Sequence, residues 1–546
     1  MQNIIPHSDR LKSLWVKRLG LESERPHTLS SRTTPPSSER KKIAVLGGGL
    51  AGITVAYELS KHPELDVAIL EATDRLGGHV HTDYESLEGP EGFWFERGAE
   101  LVDSQHHALR RLARQLGVEF VDANPKGSGE IFYRSDNKFY TNAQVQEALL
   151  PLIRQAQDDC RRAIRLHYDD RWTQRALELD QMSMRDYIQS YTRKKDPATG
   201  QPVVRPWAIK ALTQTYRSEL GREPDEISAL AFVTAFGSGH GPDFSMRGES
   251  DESQKIRGGA SNLIRTLCEA MPVNVDRRLE HYVVGVTPLD GGKGLEVEYK
   301  KDGLSGPITR EHFDYVVSAM PLFQLSRMKG LDQLTSPEQQ EAIRNTSYTN
   351  SIKIAFKVNG KPWLGCKELQ KLGRSDGFFF TADQIFQSVW PSSYSQFKDQ
   401  PENDQADSMI TFLIGGRAAL LPPEELIPKV RQQYAEMLGL PESEIFAENA
   451  PIHNLPRDCP VTDLGCYTSP GKGQLTRLST LFHDHHRHPT FRLVGQFIPH
   501  ITEHGVQIGY MDNAVRSAMI EAKIAVAHLL PPKLRAYDGT SFSIGG

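Results

Sequence analysis

The chain has 546 residues, 38% of them hydrophobic and 24% charged, with a formal net charge of -5. This is the balance of a soluble globular protein, too long for one compact core, so two closely associated domains are expected. The mild negative charge argues against nucleic acid and other anionic polymers as partners, and no stretch reaches the roughly 18 apolar residues that cross a bilayer.

Residues 1–40 read as a flexible tail. Leu11, Leu14, Trp15 and Leu19 fall at helical spacing, and 27–40 are rich in Ser, Thr, Pro and Arg. There is no apolar core of a secretory signal. Ile43-Ala44-Val45-Leu46 is then a short, fully apolar run of the kind that forms a central parallel strand. Gly47-Gly48-Gly49-Leu50-Ala51-Gly52 follows at once, with the G-x-G-x-x-G glycines at Gly47, Gly49 and Gly52. A helical stretch comes next, then the strand Val67–Leu70, ending in Glu71 19 positions after Gly52. Gly47 permits a tight turn, Gly49 lets a pyrophosphate approach the backbone, and Gly52 lets the helix pack on the strand. The helix N-terminus, at Leu50 and Ala51, offers unpaired N–H groups to phosphates, and Glu71 is placed to accept from ribose hydroxyls. A lone glycine motif is often just a loop. Strand, glycines, helix, strand and acid in register specify a dinucleotide site.

Further along, Glu71-Ala72-Thr73-Asp74-Arg75-Leu76-Gly77-Gly78-His79-Val80-His81-Thr82 resembles the E-x-x-x-R-x-G-G-R-x-x-T signature of the flavin-containing amine oxidase superfamily, which includes the monoamine oxidases. The resemblance implies that Arg75, Gly77, Gly78 and His79 lie along the FAD diphosphate and ribityl chain, with His79 in place of the usual arginine. Glu96-Arg97-Gly98-Ala99-Glu100-Leu101 is similar to the segment that passes beside the isoalloxazine, which adds Gly98, Ala99, Glu100 and Leu101. Arg257-Gly258-Gly259 resembles the turn where the chain re-enters the FAD domain, and Val283 takes the place of the residue that meets the adenine. Phe491-Arg492-Leu493-Val494-Gly495-Gln496 is similar to the strand that ends on the ribityl or diphosphate part, Gln496 replacing an acid. Gly509-Tyr510-Met511-Asp512-Asn513-Ala514-Val515 matches the family's G-Y-M segment, where a helix N-terminus faces flavin N1 and O2.

No second strand–glycine–helix unit is visible, so the reductant is expected to be an organic substrate rather than NADPH. Lys353, in Asn350–Phe356, stands where the family carries an active-site lysine; considered without that resemblance, it reads as a surface residue. Tyr510 and Tyr467 stand where many members place a pair of aromatic rings that orient and desolvate an amine; packing in the core is their plain alternative. Cys466, in Gly465-Cys466-Tyr467-Thr468, occupies the place of the monoamine oxidase cysteine that bonds covalently to flavin. Its flanks depart from that pattern, which favours noncovalent FAD and an ordinary buried thiol.

The other cysteines are Cys160, Cys268, Cys366 and Cys459. An odd, sparse set without C-x-x-C or zinc spacing predicts no disulfide framework and no metal site, and suits the reducing cytoplasm. The expected fold is α/β: a Rossmann-like FAD domain (41–115, 258–325 and 455–535) interleaved with an α+β substrate domain (116–257 and 326–454), closed by a polar tail, 536–546. The resemblance implies hydride removal from the carbon bearing an amine, in an amine or amino acid substrate, giving an imine and, with O₂ as acceptor, H₂O₂. The alternatives are a desaturase or porphyrinogen-type oxidase of the same superfamily, or a flavin-free binding protein on the same fold.

Overall fold

The computed structural model describes residues 40–535 except 86–92, 125–128, 165–171, 196, 198, 240–244, 273–274, 293, 303, 397–406, 448–451, 455–465, 482–487 and 503–504. The expected tails at 1–40 and 536–546 therefore lie outside the described residues, apart from Arg40, as do Cys459 and Gly465.

The apolar run predicted as a central strand is one. Lys41–Leu46 lies in a five-stranded parallel sheet, in the order Asp276–Arg278, Leu65–Leu70, Lys41–Leu46, Tyr315–Ser318, Phe491–Leu493. Successive strand residues point to opposite faces, and both faces are covered, which is why the run does not alternate with polar residues. Ile43 and Val45 pack under the helices Leu50–Ser60, Ser261–Ala270 and Met511–Leu529. Ala44 and Leu46 pack against the antiparallel strands His281–Pro288, Leu295–Lys301 and Ile308–Phe313. This is an α/β, Rossmann-like nucleotide-binding architecture.

A second, seven-stranded mixed sheet runs in the order Ile452–Asn454, Ser351–Val358, Ser408–Gly415, Ser388–Pro391, Ser375–Thr381, Glu130–Ser135, Lys138–Thr141. On Ser351–Val358, Ile352, Ile354 and Phe356 enter a core with the helix Pro423–Leu438. Lys353 is on the opposite face of the strand, the same face as Ser351 and Ala355. A separate helical core gathers Asn142–Ala163, Pro206–Glu219 and Ala229–Phe236. The first of these starts at a capping box in which Thr141 and Gln144 bond each other's backbone amides.

A separate three-stranded sheet carries further residues of the site. Leu101–Val102 and Phe120–Asp122 both pair with Gln254–Ile256. Residues 469–481, in the segment expected to belong to the FAD domain, also hold the helical core: Thr476 bonds Asp180, and Leu475 packs among those helices. No helix among the described residues is long and apolar enough to cross a membrane.

Candidate active site

At the nucleotide end, Gly47 has φ +97°, a conformation that favours glycine, and its N–H donates to Leu70 O at 2.8 Å. A Cβ on Gly52 would stand 2.0 Å from Gly47 O, so only glycine lets the helix sit this close to the strand. A Cβ on Gly49 would meet nothing nearer than Gly78 Cα at 3.9 Å. The helix begins at Gly49 without a side-chain cap, leaving the amides of Leu50, Ala51 and Gly52 without intrahelical acceptors. Open space beside glycines and unpaired amides is a cradle that fits a diphosphate.

Glu71 is buried and braces this loop. Its Oε2 accepts from Gly48 N–H at 2.6 Å, and its Oε1 from the Thr73 N–H and hydroxyl at 2.9 and 2.7 Å. Oε2 retains acceptor capacity for a ribose hydroxyl. The Glu71 and Thr73 carbonyls accept from His281 and Glu280, so the hairpin bearing Val283, just before a β-bulge, hangs beside this acid. Gly77 donates to Gly48 O at 2.8 Å, and Arg75 Nη2 to Gly78 O at 2.8 Å. His79 is exposed, yet burial and then the Arg75 charge lower its pKa to about 4. There a neutral imidazole donates a hydrogen bond but brings no charge.

The next stretch runs against His79. Ala99 N–H donates to His79 O at 3.1 Å, and a Cβ on Gly98 would lie 1.9 Å from that oxygen. Lys353 enters here from the second sheet. Its Nζ donates to Gly98 O at 2.8 Å and to Glu100 Oε2 at 3.0 Å, with Glu96 O at 3.4 Å. Its ammonium lies 5.5 Å from the centre of the Trp390 ring, and its side chain is 15% exposed, so it is no surface lysine. Glu100 is buried, which pushes its pKa up, but the charges of Lys353 and Lys255 outweigh this and hold it at about 2. Lys255 Nζ is 3.2 Å from Glu100 Oε1, to which Trp390 Nε1 also donates at 3.2 Å. Leu101, next in the chain, pairs with Lys255. Glu96 is buried between Thr82 Oγ1 and the Ala260 N–H, each at 2.8 Å.

The C-terminal motif closes the same space. Tyr510 caps the helix Met511–Leu529 with extended backbone and no side-chain bond, so the first-turn amides from Met511 onward stay unpaired. Tyr510 keeps 36% exposure, although burial raises its phenol pKa. A Cβ on Gly509 would touch Tyr467 Cδ2 at 3.4 Å, so the chain just before Tyr510 runs against the Tyr467 ring. Gln496 ties the two segments together: its side-chain amide gives and takes bonds with Thr468 at 3.0 and 3.2 Å, while its backbone carbonyl accepts from Gly509 N–H at 2.9 Å. Gly495 donates to Ser517 Oγ at 3.1 Å. Cys466 donates to Ser351 O at 3.6 Å, two positions before Lys353. Burial pushes its thiol up to about 11 against the opposing Lys353 charge.

Several residues of the cavity were not read from the sequence. Tyr467 OH donates to the backbone carbonyl of Glu219 at 2.7 Å. His106 lies with its ring 5.0 Å from that of Tyr510 and beside Asp103. Arg247, ion-paired with Glu252, lies over Phe378 and Phe380 at 5.3 and 5.6 Å. None belongs to a motif that the sequence displays.

Comparison with known proteins agrees with this geometry. The family described as "Flavin containing amine oxidoreductase" matches residues 50–524. The flavin-containing amine oxidase A of Equus caballus is 25% identical over 414 residues, 73% of this chain and 70% of that protein. The L-amino-acid oxidase of Sistrurus catenatus edwardsii is 22% identical, over 60% of each chain. Among solved structures, a putrescine oxidase variant superposes with TM-score 0.68 at 21% identity, over 90% of this chain and 99% of its own. Cyclohexylamine oxidase from Brevibacterium oxydans gives 0.70 at 15% identity with the same coverage. The chain belongs to the flavin containing amine oxidoreductase family and is a flavin-dependent oxidoreductase.

Proposed function

We propose that this protein is an FAD-dependent amine oxidase that holds FAD noncovalently and passes electrons to O₂, giving H₂O₂. The observation that carries the reading is Lys353, a desolvated ammonium joined through Ser351 and Cys466 to the ring pair Tyr467 and Tyr510. When bound, FAD accepts the hydride from the substrate carbon bearing nitrogen. The residues already named along Gly47–Gly52, Glu71–His79, Gly98–Leu101, Val283, Gly495–Gln496 and Tyr510–Met511 would hold it. Tyr467 and Tyr510 wall the amine in, and their desolvation favours its neutral form. Lys353 spends its N–H donors on Gly98, Glu100 and, at longer range, Glu96, so what it offers to charge developing on O₂ is its fixed positive charge. Noncovalent binding is supported by the Cys466 thiol, held protonated by burial. A substrate carboxylate would require a free guanidinium, and Arg247 is committed to Glu252, so amines are favoured over amino acids. The four described cysteines form no disulfide, in keeping with a cytoplasmic setting. The division into FAD and substrate domains at 41–115, 258–325 and 455–535 against 116–257 and 326–454 belongs to the same proposal.

An anaerobic panel of primary amines is the test, read as loss of the flavin band near ~450 nm and its return in air with one H₂O₂ per amine. Lys353→Met should slow reoxidation roughly 100-fold, the order of loss seen when one charge-stabilising group is removed. A yellow protein that no amine bleaches, or a Lys353→Met variant with unchanged reoxidation, overturns the reading in favour of a desaturase-type reaction.

A further inference from the structure

Lys353 alone does not make the site positive. Its partner Glu100 is an ionised carboxylate 3.0 Å away, with 4% of its side chain exposed. Such a pair carries no net charge, and at a distance the fields of the ammonium and the carboxylate largely cancel. Hydride arriving at a flavin with its electron pair leaves an iminium behind and gives the flavin one negative charge. Fixed positive charge beside the ring favours that form, and in this site a further cation is needed to supply it.

Lys255 stands on the other side of the carboxylate. Its Nζ lies 3.2 Å from Glu100 Oε1, with 10% of its side chain exposed, and donates to Ser392 O at 3.0 Å. The backbone there is fixed on both edges, since Lys255 lies opposite Leu101 on one neighbouring strand and Val121 on the other. Trp390 Nε1 also donates to Oε1, at 3.2 Å. Glu100 thus gives one oxygen to each lysine, and two cations with one anion leave a net charge of +1. The Glu96 carboxyl bonds Thr82 and Ala260 instead. Anchoring Lys353 requires Glu100 alone. A second, nearly buried ammonium carries a desolvation cost that anchoring does not explain.

We infer that Lys255 is a positioning residue for the flavin reaction, acting through Glu100: it offsets the carboxylate from behind and leaves Lys353 an uncompensated cation that raises the flavin's reduction potential. The inference rests on the FAD reading and on the family place of Lys353 beside the ring, and requires no particular substrate. A lysine that only ties Gln254–Ile256 to the loop at Ser392 would change stability and leave the potential alone.

The potential can be read without any amine, by reducing the flavoprotein in equilibrium with a reference dye. A working pH of about 8.5 lies above the value of about 7 at which Glu96 titrates, so its charge stays constant. One unit charge roughly 10 Å from the ring is worth on the order of tenfold in the reduction equilibrium at a protein-like dielectric, which is about 30 mV for two electrons. Lys255→Met should lower the midpoint by that amount. Glu100→Gln should raise it, and the double variant should return to the unaltered value, because it removes one charge of each sign. Where Lys255→Met alone does not hold flavin, the same charge is read between Glu100→Gln and the double variant, which leaves no buried carboxylate half-paired. An unchanged midpoint in either comparison overturns the inference, as does a double variant that stays as low as Lys255→Met. Shifts of the expected sign in a protein whose flavin no amine bleaches keep the inference and sink the amine-oxidase reading instead.

Discussion

Glu96 shows how a single buried group couples the site to pH. Its carboxyl is pushed up to about 7, first by burial and then by the nearby Glu100 charge, despite bonds from Ala260 and Thr82. An acid whose pKa is higher folded than unfolded binds more protons in the folded state between the two values. Its contribution to stability is full below pH 4.5, the unfolded value, and is lost as pH rises through about 7. The loss is on the order of 3 kcal/mol. In Glu96→Gln the Oε1 acceptor for Ala260 is kept and the amide donates to Thr82 Oγ1, so that slope should vanish. Urea midpoints of both proteins from pH 5 to pH 8 measure it. The depressed His79 and His81 act in the opposite direction, losing stability as pH falls from 6.5 toward 4, but they are common to both proteins and cancel in the difference. Parallel profiles would mean that Glu96 does not titrate in this window.

At the scale of the element, the strand–turn–helix unit tolerates no added atom at Gly52. Gly52→Ala puts a methyl 2.0 Å from Gly47 O, so the helix must withdraw and carry its unpaired amides away from the diphosphate cradle. The expected result is loss of several kcal/mol, the scale of an overpacked core site, and a protein purified with little bound flavin. Gly117 is the matched control: its φ is +68°, but an added Cβ meets nothing within 4 Å. Gly117→Ala should cost about 1 kcal/mol of backbone strain and keep the flavin band. Equal flavin content in the two variants would remove the close-packing argument. Elements of this kind are where sequence reading works best, because glycine spacing and apolar runs are local consequences of local geometry. The strand at Ile43 and the helix opened by Tyr510 were legible for that reason, whereas the strand bearing Lys353 was legible only through its resemblance to the family. Trp390, Lys255 and Glu219 were not, since each reaches the site from an element whose position depends on how two sheets meet, and no residue nearby in the chain reports that.

For the whole molecule, the flavin site is the place where distant segments converge. Its candidate residues run from Gly47 to Met511, and the covering pieces, Leu101–Val102, Gln254–Ile256 and Lys353, tie the parallel sheet to the seven-stranded one. A ligand that binds only the assembled site stabilises the fold by mass action, about 4 kcal/mol at a thousandfold excess over its Kd. With the Cys466 thiol protonated, FAD is expected to leave the protein on acid precipitation and colour the supernatant. Apoprotein prepared by milder extraction should then melt several degrees below the holoprotein, and its Tm should climb with each tenfold addition of FAD. A yellow pellet after acid treatment would point to a covalent link through Cys466. A Tm indifferent to FAD, with the flavin band restored, would mean that the segments around the cofactor hold together without it. The convergence of residues on the site would then govern chemistry alone and not the stability of the fold.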